Sequence, residues 1–414
     1  MSVLKGACVI GQSGGPTAVI NSSAAGAILT ALDSESITKV LAAEHGITGV
    51  LSDRLFDCSQ EDRRELELLR CTPAAALGSC RHKIRDPEQD DSDCRRILEV
   101  FKKHDVRYFF YIGGNDSMDT CEKISRYTRQ VGYECRVMGI PKTVDNDLIG
   151  TDHCPGFGSA ARYIATSMAE ISCDNQAYGS GSVAVCEIMG RNAGWLAASS
   201  ALAGINGNGP DLIFLPENPF DIDSFIEDVV KISERKKSVV VAVSEGVRDS
   251  SGRFISEYGS DLAKQKDSFG HAQLGGLAST LAAYVRKNTG IKTRGIEFSL
   301  LQRSAAHCVS GTDEEEAFMV GENAVINAVE GVSGYMTALK RLPGEEYHSE
   351  IELLPLSAVA NREKPVPSEY MNKEKNGVSD AYIRYALPLV QGAPECETEN
   401  GLLRFARLKK VFVK

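Results

Sequence analysis

The stretch YFFYIGGNDSMDT, Tyr108 to Thr120, runs from five apolar and aromatic residues into two glycines and then into Asn115, Asp116 and Ser117. The apolar run reads as a strand, the glycines as a turn where backbone can approach a phosphate, and the residues from about Ser117 to Val131 as a helix. A carboxylate inside such a turn repels the anion that the glycines admit. Asp116 therefore sets a question that the rest of the chain has to answer.

The same strand, turn and helix grammar recurs on both sides of it. Ala7 to Ile10 precedes QSGGPTAVIN and an Ala-rich helix from about Ala18 to Leu32; Arg136 to Ile140 precedes PKTVDND; Val183 to Ile188 precedes MGRNAGW and a helix to about Ala203. Asp211 to Leu215 and Ser238 to Ser244, the latter leading into Glu245-Gly246, add two more runs. Short β-rich runs alternating with helices imply parallel sheets of βα units, with ligands at the carboxyl ends of the strands. The alternation continues past Gly150, so two sheets are expected. The spacing suggests residues 1–150 as a first domain, rejoined by about 305–355, with 151–304 as a second and 356–414 as a charged, proline-containing extension.

The 414 residues are 43% hydrophobic and 25% charged, with a net charge of -10. Acidity on this scale argues against nucleic-acid partners and membrane surfaces and leaves room for local basic pockets. The 12 cysteines form no CxxC pair and no zinc-finger spacing, so reduced thiols and a cytoplasmic location are expected. No apolar run approaches the roughly 18 to 20 residues that span a bilayer.

Five motifs carry chemistry. In SGGPTAVIN, amides near Gly14 can meet an anion at a helix start, or the glycines can simply make a tight turn. In GGNDS, Asn115 and Asp116 can serve a metal or cap the helix. GIPKTVDNDL places Lys142, Thr143, Asp145 and Asp147 on one short loop after a strand, a plausible base and metal-positioning set for phosphoryl transfer. Arg191 of EIMGRNAGW suits an anion at a strand's carboxyl end. Glu245, Arg294 and Arg303 form a weaker fifth group. The histidines carry little; Trp195 reads as core, and Glu314 to Glu316 as a solvated first turn of a helix.

Taken in order, the GG turn near the N-terminus, LGSCR, GGNDS, PKTVDND, MGR, SEG and LQR resemble the phosphofructokinase family, over about Val3 to Pro355. The resemblance implies two similar Rossmann-like three-layer α/β domains with parallel-rich sheets and a sugar-phosphate site in the cleft between them. It implies a homodimer or homotetramer that uses Mg²⁺. Asp145 falls on the family's general base, and Thr143 and Val144 lie beside it near the transferred group. Met189, Gly190, Arg191, Glu245 and Arg303 fall on positions that hold fructose 6-phosphate, and Arg294 on one that reaches the 6-phosphate of a neighbouring subunit. Gly14, Arg81 and Gly114 fall on donor contacts, and Asp147 on a metal-placing acid. Asn115 stands where an acid usually touches the metal. Leu300 replaces the histidine of an HxQR motif, and Ser182 replaces a second intersubunit arginine.

The donor follows from two positions. Members that use ATP carry glycine where Asp116 stands and commonly where Lys142 stands; members that use pyrophosphate carry Asp and Lys. Ile47 and Thr120 replace a tyrosine and a glycine on the nucleotide side. The expectation is thus a pyrophosphate-dependent fructose 6-phosphate 1-phosphotransferase, with Asp116 excluding ATP and Lys142 and Arg81 stabilising transferring charge. An ATP-dependent 6-phosphofructokinase and a non-catalytic sugar-phosphate-binding subunit are the alternatives. The missing GxGxxG fingerprint sets a dehydrogenase aside, and lipid or NAD kinases lack the PKTVDND and MGR pair.

Overall fold

A computed structural model of the protein describes residues 4–177, 179–258 and 276–414. The strands in chain order are β1 (Gly6–Gln12), β2 (Ile37–Ala43), β3 (Leu55–Asp57), β4 (Val106–Gly113), β5 (Arg136–Pro141), β6 (Ser182–Ile188), β7 (Leu212–Phe214), β8 (Ser238–Ser244), β9 (Thr293–Glu297), β10 (Tyr335–Arg341) and β11 (Ser349–Pro355). They make two main sheets. One has seven strands in the order β11-β10-β5-β4-β1-β2-β3, and the other four in the order β7-β8-β6-β9.

The central strands of the larger sheet are parallel, and only its edges, β3 and β11, run antiparallel to their neighbours. Successive side chains of a strand point to opposite faces. Val9, Phe109 and Tyr111 accordingly pack with Phe101, Met118 and Cys121 on one face, while Cys8, Ile10, Phe110 and Ile112 pack with Ile28, Val320 and Ala324 on the other. Burial on both faces explains why β4 is an unbroken apolar run. The smaller sheet is entirely parallel and is likewise covered on both faces. No helix among the described residues is long and apolar enough to cross a membrane.

Residues after Leu356 cover both sheets. Helix Asp380–Ala386 sets Tyr382 and Tyr385 around the buried Trp195, with ring centroids 6.3 and 5.3 Å away. Farther on, the chain returns to the larger sheet: Phe412 bridges to Phe56, their rings 6.1 Å apart. That return brings Cys396 to Cys71, and the two form a disulfide. The expectation of reduced thiols throughout is corrected here, since spacing could not foresee a pair separated by 325 residues.

A second correction concerns Glu314 to Glu316. Glu314 and Glu316 are buried on helix Gly311–Val329 instead of solvated. Glu314 takes two hydrogen bonds from Arg70, at 2.6 and 2.9 Å, and one from Ser22 Oγ at 2.7 Å. Glu316 meets His153 Nε2 at 2.6 Å and accepts from Tyr347 and Ser349. The acidic run looked like an exposed helix start because its partners lie far away in the chain.

Candidate active site

The carboxyl ends of β1, β4 and β5 face those of β6 and β8, and the motif loops meet between them. Gly14 has φ 76°, in the left-handed region that favours glycine. Its N–H donates to Cys80 O at 3.1 Å and its carbonyl accepts from Ser79 Oγ at 2.6 Å, which pins the glycine turn to the loop bearing Arg81. A Cβ on Gly14 would lie 3.2 Å from Lys142 Nζ; one on Gly15 would lie 2.9 Å from Arg303 Nη1 and 3.9 Å from Arg81 Nη2. Three cations thus line one glycine turn.

Lys142 is buried. Its N–H donates to Gly113 O at 3.0 Å, and its Nζ donates to Gly15 O at 2.8 Å, so one residue ties the β1, β4 and β5 loops together. Burial pushes its pKa down to about 8, an effect that Asp145 and Asp147 oppose and that Arg81 and Arg303 reinforce. Gly114 precedes helix Asn115–Gln130, whose first turn holds Asp116. Asp116 Oδ1 lies 3.4 Å from Lys83 Nζ, with the two side chains 41% and 51% exposed. Asn115 Oδ1 is buried and has no hydrogen-bond partner.

The PKTVDND loop crosses from one sheet to the other. Thr143 N–H donates to Pro155 O at 3.3 Å, and Thr143 Oγ1 accepts from the Asp145 N–H at 3.1 Å. Val144 packs with Phe157 and Ile188 in the core of the smaller sheet. Asp145 is pushed above the usual carboxylate range, chiefly by burial and then by the charge of Glu245, against the pull of Lys142 and Arg191. Asp147 is raised by burial and then by Asp145 and Glu363.

On the other side, Met189 N–H donates to Gln302 Oε1 at 3.0 Å and Gly190 N–H to Glu245 Oε1 at 3.4 Å. Gly190 has φ 136°, and a Cβ there would lie 2.6 Å from Ala193 O, so only glycine fits this turn. Glu245 is raised by burial, while the Gly190 amide, Arg191 and Arg303 oppose the shift. Arg303 therefore acts electrostatically on both Lys142 and Glu245.

Most of the residues singled out from the sequence are brought together in this way. Arg294 is not. It lies on β9 opposite Ala184, about 13 Å along the strand from Ile188 at a rise of about 3.3 Å per residue, and its Nη1 is 3.7 Å from Asp174. Sequence reasoning missed Gly15, Lys83, Gln302, Glu363 and Lys364. Gln302 sat unread inside the LQR motif; the two residues at 363 and 364 gave no local signal. A cavity of about 440 Å³ lined by Ser125, Arg129, Tyr133 and Arg136 lies at the amino-terminal end of β5, away from this chemistry.

The donor set suits a hard cation. The orphaned amide oxygen of Asn115 and the two neighbouring buried carboxylates of Asp145 and Asp147, each made costly to ionise, are all oxygens that a positive charge beside them would satisfy. No group of three or more His, Cys, Asp or Glu side chains among the described residues forms a metal cage.

Two parallel-rich sheets whose carboxyl ends meet over a cation-lined glycine turn and buried carboxylates define a two-domain α/β phosphoryl-transfer protein. The chain belongs to the phosphofructokinase family, whose model, described as "Phosphofructokinase", matches residues 7–296. It is 44% identical over 403 residues to the pyrophosphate–fructose 6-phosphate 1-phosphotransferase of Halomonas elongata, covering 96% of this chain and 95% of the relative. A protein of the same description from Xanthomonas campestris is 44% identical over 406 residues, covering 97% and 96%. The crystal structure of a pyrophosphate-dependent phosphofructokinase from Nitrosospira multiformis superposes with a TM-score of 0.89 at 38% identity, covering 98% of this chain and 97% of that one.

Proposed function

We propose that the protein transfers a phosphoryl group from pyrophosphate to the 1-hydroxyl of fructose 6-phosphate, reversibly, giving fructose 1,6-bisphosphate and phosphate. Residues 1–150 with 305–355 hold the donor, and 151–304 hold the sugar phosphate. Asp145 takes the hydroxyl proton as O1 attacks phosphorus and the bridging P–O bond breaks. Burial, and after it the charge of Glu245, gives it the raised affinity for a proton that a general base needs near neutral pH, against the pull of Lys142 and Arg191. Lys142 and Arg81, lining the Gly14–Gly15 turn, offset charge on the phosphates, in a buried setting where such contacts are strongest. Thr143 lies beside the transferred group.

Met189, Gly190, Arg191, Glu245 and Arg303 orient the sugar phosphate. In a homodimer or homotetramer, Arg294 serves the neighbouring subunit's site, which suits its exposed place away from its own. Asn115 and Asp147 would hold a Mg²⁺ ion, which supplies charge neutralisation between the phosphates. The compartment is the cytoplasm, where the remaining free cysteines are at home.

One observation carries the donor assignment: Asp116 stands in the first turn of the helix that follows Gly113–Gly114, the turn to which the Lys142 N–H is bonded. Two unit charges about 4 Å apart interact by about 4 kcal/mol at an effective dielectric near 20. Solvent and Lys83 screen the half-exposed Asp116, so about 1 to 2 kcal/mol is a fairer penalty for a third phosphate. Pyrophosphate has none to place there.

Assaying the purified protein with each donor tests this. Turnover with pyrophosphate and little with ATP is expected, and Asp116→Gly should raise relative use of ATP about tenfold, the equivalent of about 1.4 kcal/mol. Product from ATP alone in the wild type overturns the donor assignment, and unchanged discrimination in the variant removes Asp116 from it.

A further inference from the structure

Residues 362–366, in the charged extension, run between the two halves of the site and bond to both. Toward the catalytic loop, Glu363 forms an isolated antiparallel bridge with Leu148, and the Lys364 N–H donates to Asp147 O at 2.7 Å. Lys364 Nζ donates to Thr151 O at 3.0 Å and to Asp152 O at 2.8 Å. Toward the sugar-phosphate loop, Trp195 Nε1 donates to Lys364 O at 2.9 Å, and Asn192 Nδ2 donates to Glu363 Oε1 at 3.1 Å. Glu217 Oε1 accepts from both Val366 N–H and Gly194 N–H, each at 2.9 Å. The Lys364 ammonium also sits 5.1 Å from the centre of the Trp195 ring.

A second anchor comes from helix Asp380–Ala386. Asn146, between the two catalytic-loop aspartates, is fully buried and held at φ 54°. Its Nδ2 donates to Tyr385 Oη at 2.8 Å and its Oδ1 accepts from the Cys154 N–H at 3.0 Å. Tyr385 Oη in turn donates to Asp152 O at 2.9 Å. A left-handed, non-glycine residue persists only where its surroundings over-determine it. Here both polar ends of Asn146 are engaged, one by a residue 239 positions away.

We propose that Lys364 is a positioning residue for phosphoryl transfer: with Tyr385, it fixes the Asp145–Asp152 loop, which leads out of the larger sheet, against the Asn192–Trp195 turn, which follows β6 of the smaller one. The geometry explains why a lysine suits this place. Two backbone carbonyls, of successive residues, lie within reach of one compact ammonium on a long stem, and that ammonium also faces the Trp195 ring. The loop that carries Asp145 and the turn that follows Arg191 then share one brace. A near-attack arrangement of base, hydroxyl and phosphorus needs that rigidity, because a misplacement of about 1 Å costs about 10²-fold in rate.

The inference rests on the reaction proposed above, so its test includes a measurement independent of turnover. Lys364→Met keeps the stem and the backbone N–H and removes the ammonium. Its kcat should fall about 10²-fold with KM for pyrophosphate within about twofold of wild type, and Lys364→Arg should recover to within about tenfold. Hydrogen exchange of amides 143–152 should quicken at least about tenfold in Lys364→Met, with β4 and β5 amides unchanged. Should Lys364→Met fail to fold, Tyr385→Phe, which removes only the hydroxyl, carries the test, with a kcat loss of about tenfold and the same exchange pattern. A wild-type kcat in either variant, or faster exchange confined to residues 356–390, overturns the proposal. A wild-type protein without turnover defeats the proposed function instead, and the exchange data still decide the brace.

Discussion

Two buried clusters use the same kinds of residue to opposite ends. Around the catalytic loop, the carboxylates of Asp145 and Asp147 are pushed up and the ammonium of Lys142 is pushed down, so every group is held in a place that disfavours its charge. Around His153, a few residues farther along the chain, Asp152 and Glu316 are held below the ordinary carboxylate range and His153 is raised to about 9. Burial opposes ionisation in both. The difference lies in partners: His153 has carboxylate oxygens at 2.9 and 2.6 Å, and Arg341 reaches Asp152 at 3.0 Å. The carboxylates of Asp145 and Asp147 instead meet each other, Glu245 and Glu363, and the pull of Lys142 and Arg191 on Asp145 does not offset their burial, the setting that the proposed reaction calls on. The reactivity proposed for one cluster and the stability expected of the other rest on that single contrast.

Exchanging one carboxylate in each cluster is the harshest way to break the comparison. Asp145→Asn should lower kcat about 10⁴-fold, equivalent to about 5 kcal/mol, without lowering thermal stability, because it removes a buried charge that folding had to confine. Glu316→Gln should do the reverse. It leaves the buried His153 cation half-paired and should cost about 3 to 4 kcal/mol of stability in a denaturant titration, with kcat of the folded protein nearly unchanged. Equal effects of the two on either measurement would erase the distinction.

The next largest effect is a pH dependence of stability. His153 is lowered by burial, but Glu316 and Asp152 more than offset this and raise it from 6.5 to about 9. A cation whose folded pKa exceeds its unfolded one stabilises fully below the unfolded value. Its contribution of about 3 kcal/mol is therefore complete below pH 6.5 and lost as pH climbs to about 9. Unfolding free energies measured across that window should fall, and His153→Gln should flatten the slope; a slope that survives the substitution assigns the effect to other groups.

How far the sequence revealed these two clusters differs for a physical reason. The strand and loop grammar at Val106–Gly113 and Arg136–Pro141 is local, so period and punctuation placed the sheets and brought Lys142, Asp145 and Asp147 to a strand end. A motif loop carries its chemistry in consecutive residues. His153 and Glu316 lie 163 positions apart, and Lys364 lies 213 from Thr151. Nothing in TDHC or in the acidic run of helix Gly311–Val329 announces a partner, so burial that depends on tertiary contact went unread. The same holds for the brace at residues 362–366, whose charged and proline-containing sequence resembles any surface segment. Arg294 is the converse case: its motif was readable, yet within a single chain it lies away from the site and pairs with Asp174.

The smallest effect sharpens the comparison on its cationic side. His153 gains a proton affinity from its carboxylates, whereas Lys142 loses one to burial and has a carbonyl, Gly15 O, as its hydrogen-bond acceptor. With a pKa of about 8, Lys142 is charged at neutral pH in the free enzyme and gives up its proton within the range where most lysines keep theirs. The kcat/KM for pyrophosphate should thus decline above pH 8 by about tenfold per pH unit, about 1.4 kcal/mol each, until another group intervenes. Lys142→Arg keeps a cation that does not titrate in this range, though its planar fork cannot reproduce the contact with Gly15 O. The variant should consequently be slower at pH 7 and yet lose its alkaline limb, so that the two profiles converge near pH 9 to 10. An unaltered limb in the arginine variant would move the titration to a different residue and leave Lys142 with binding alone.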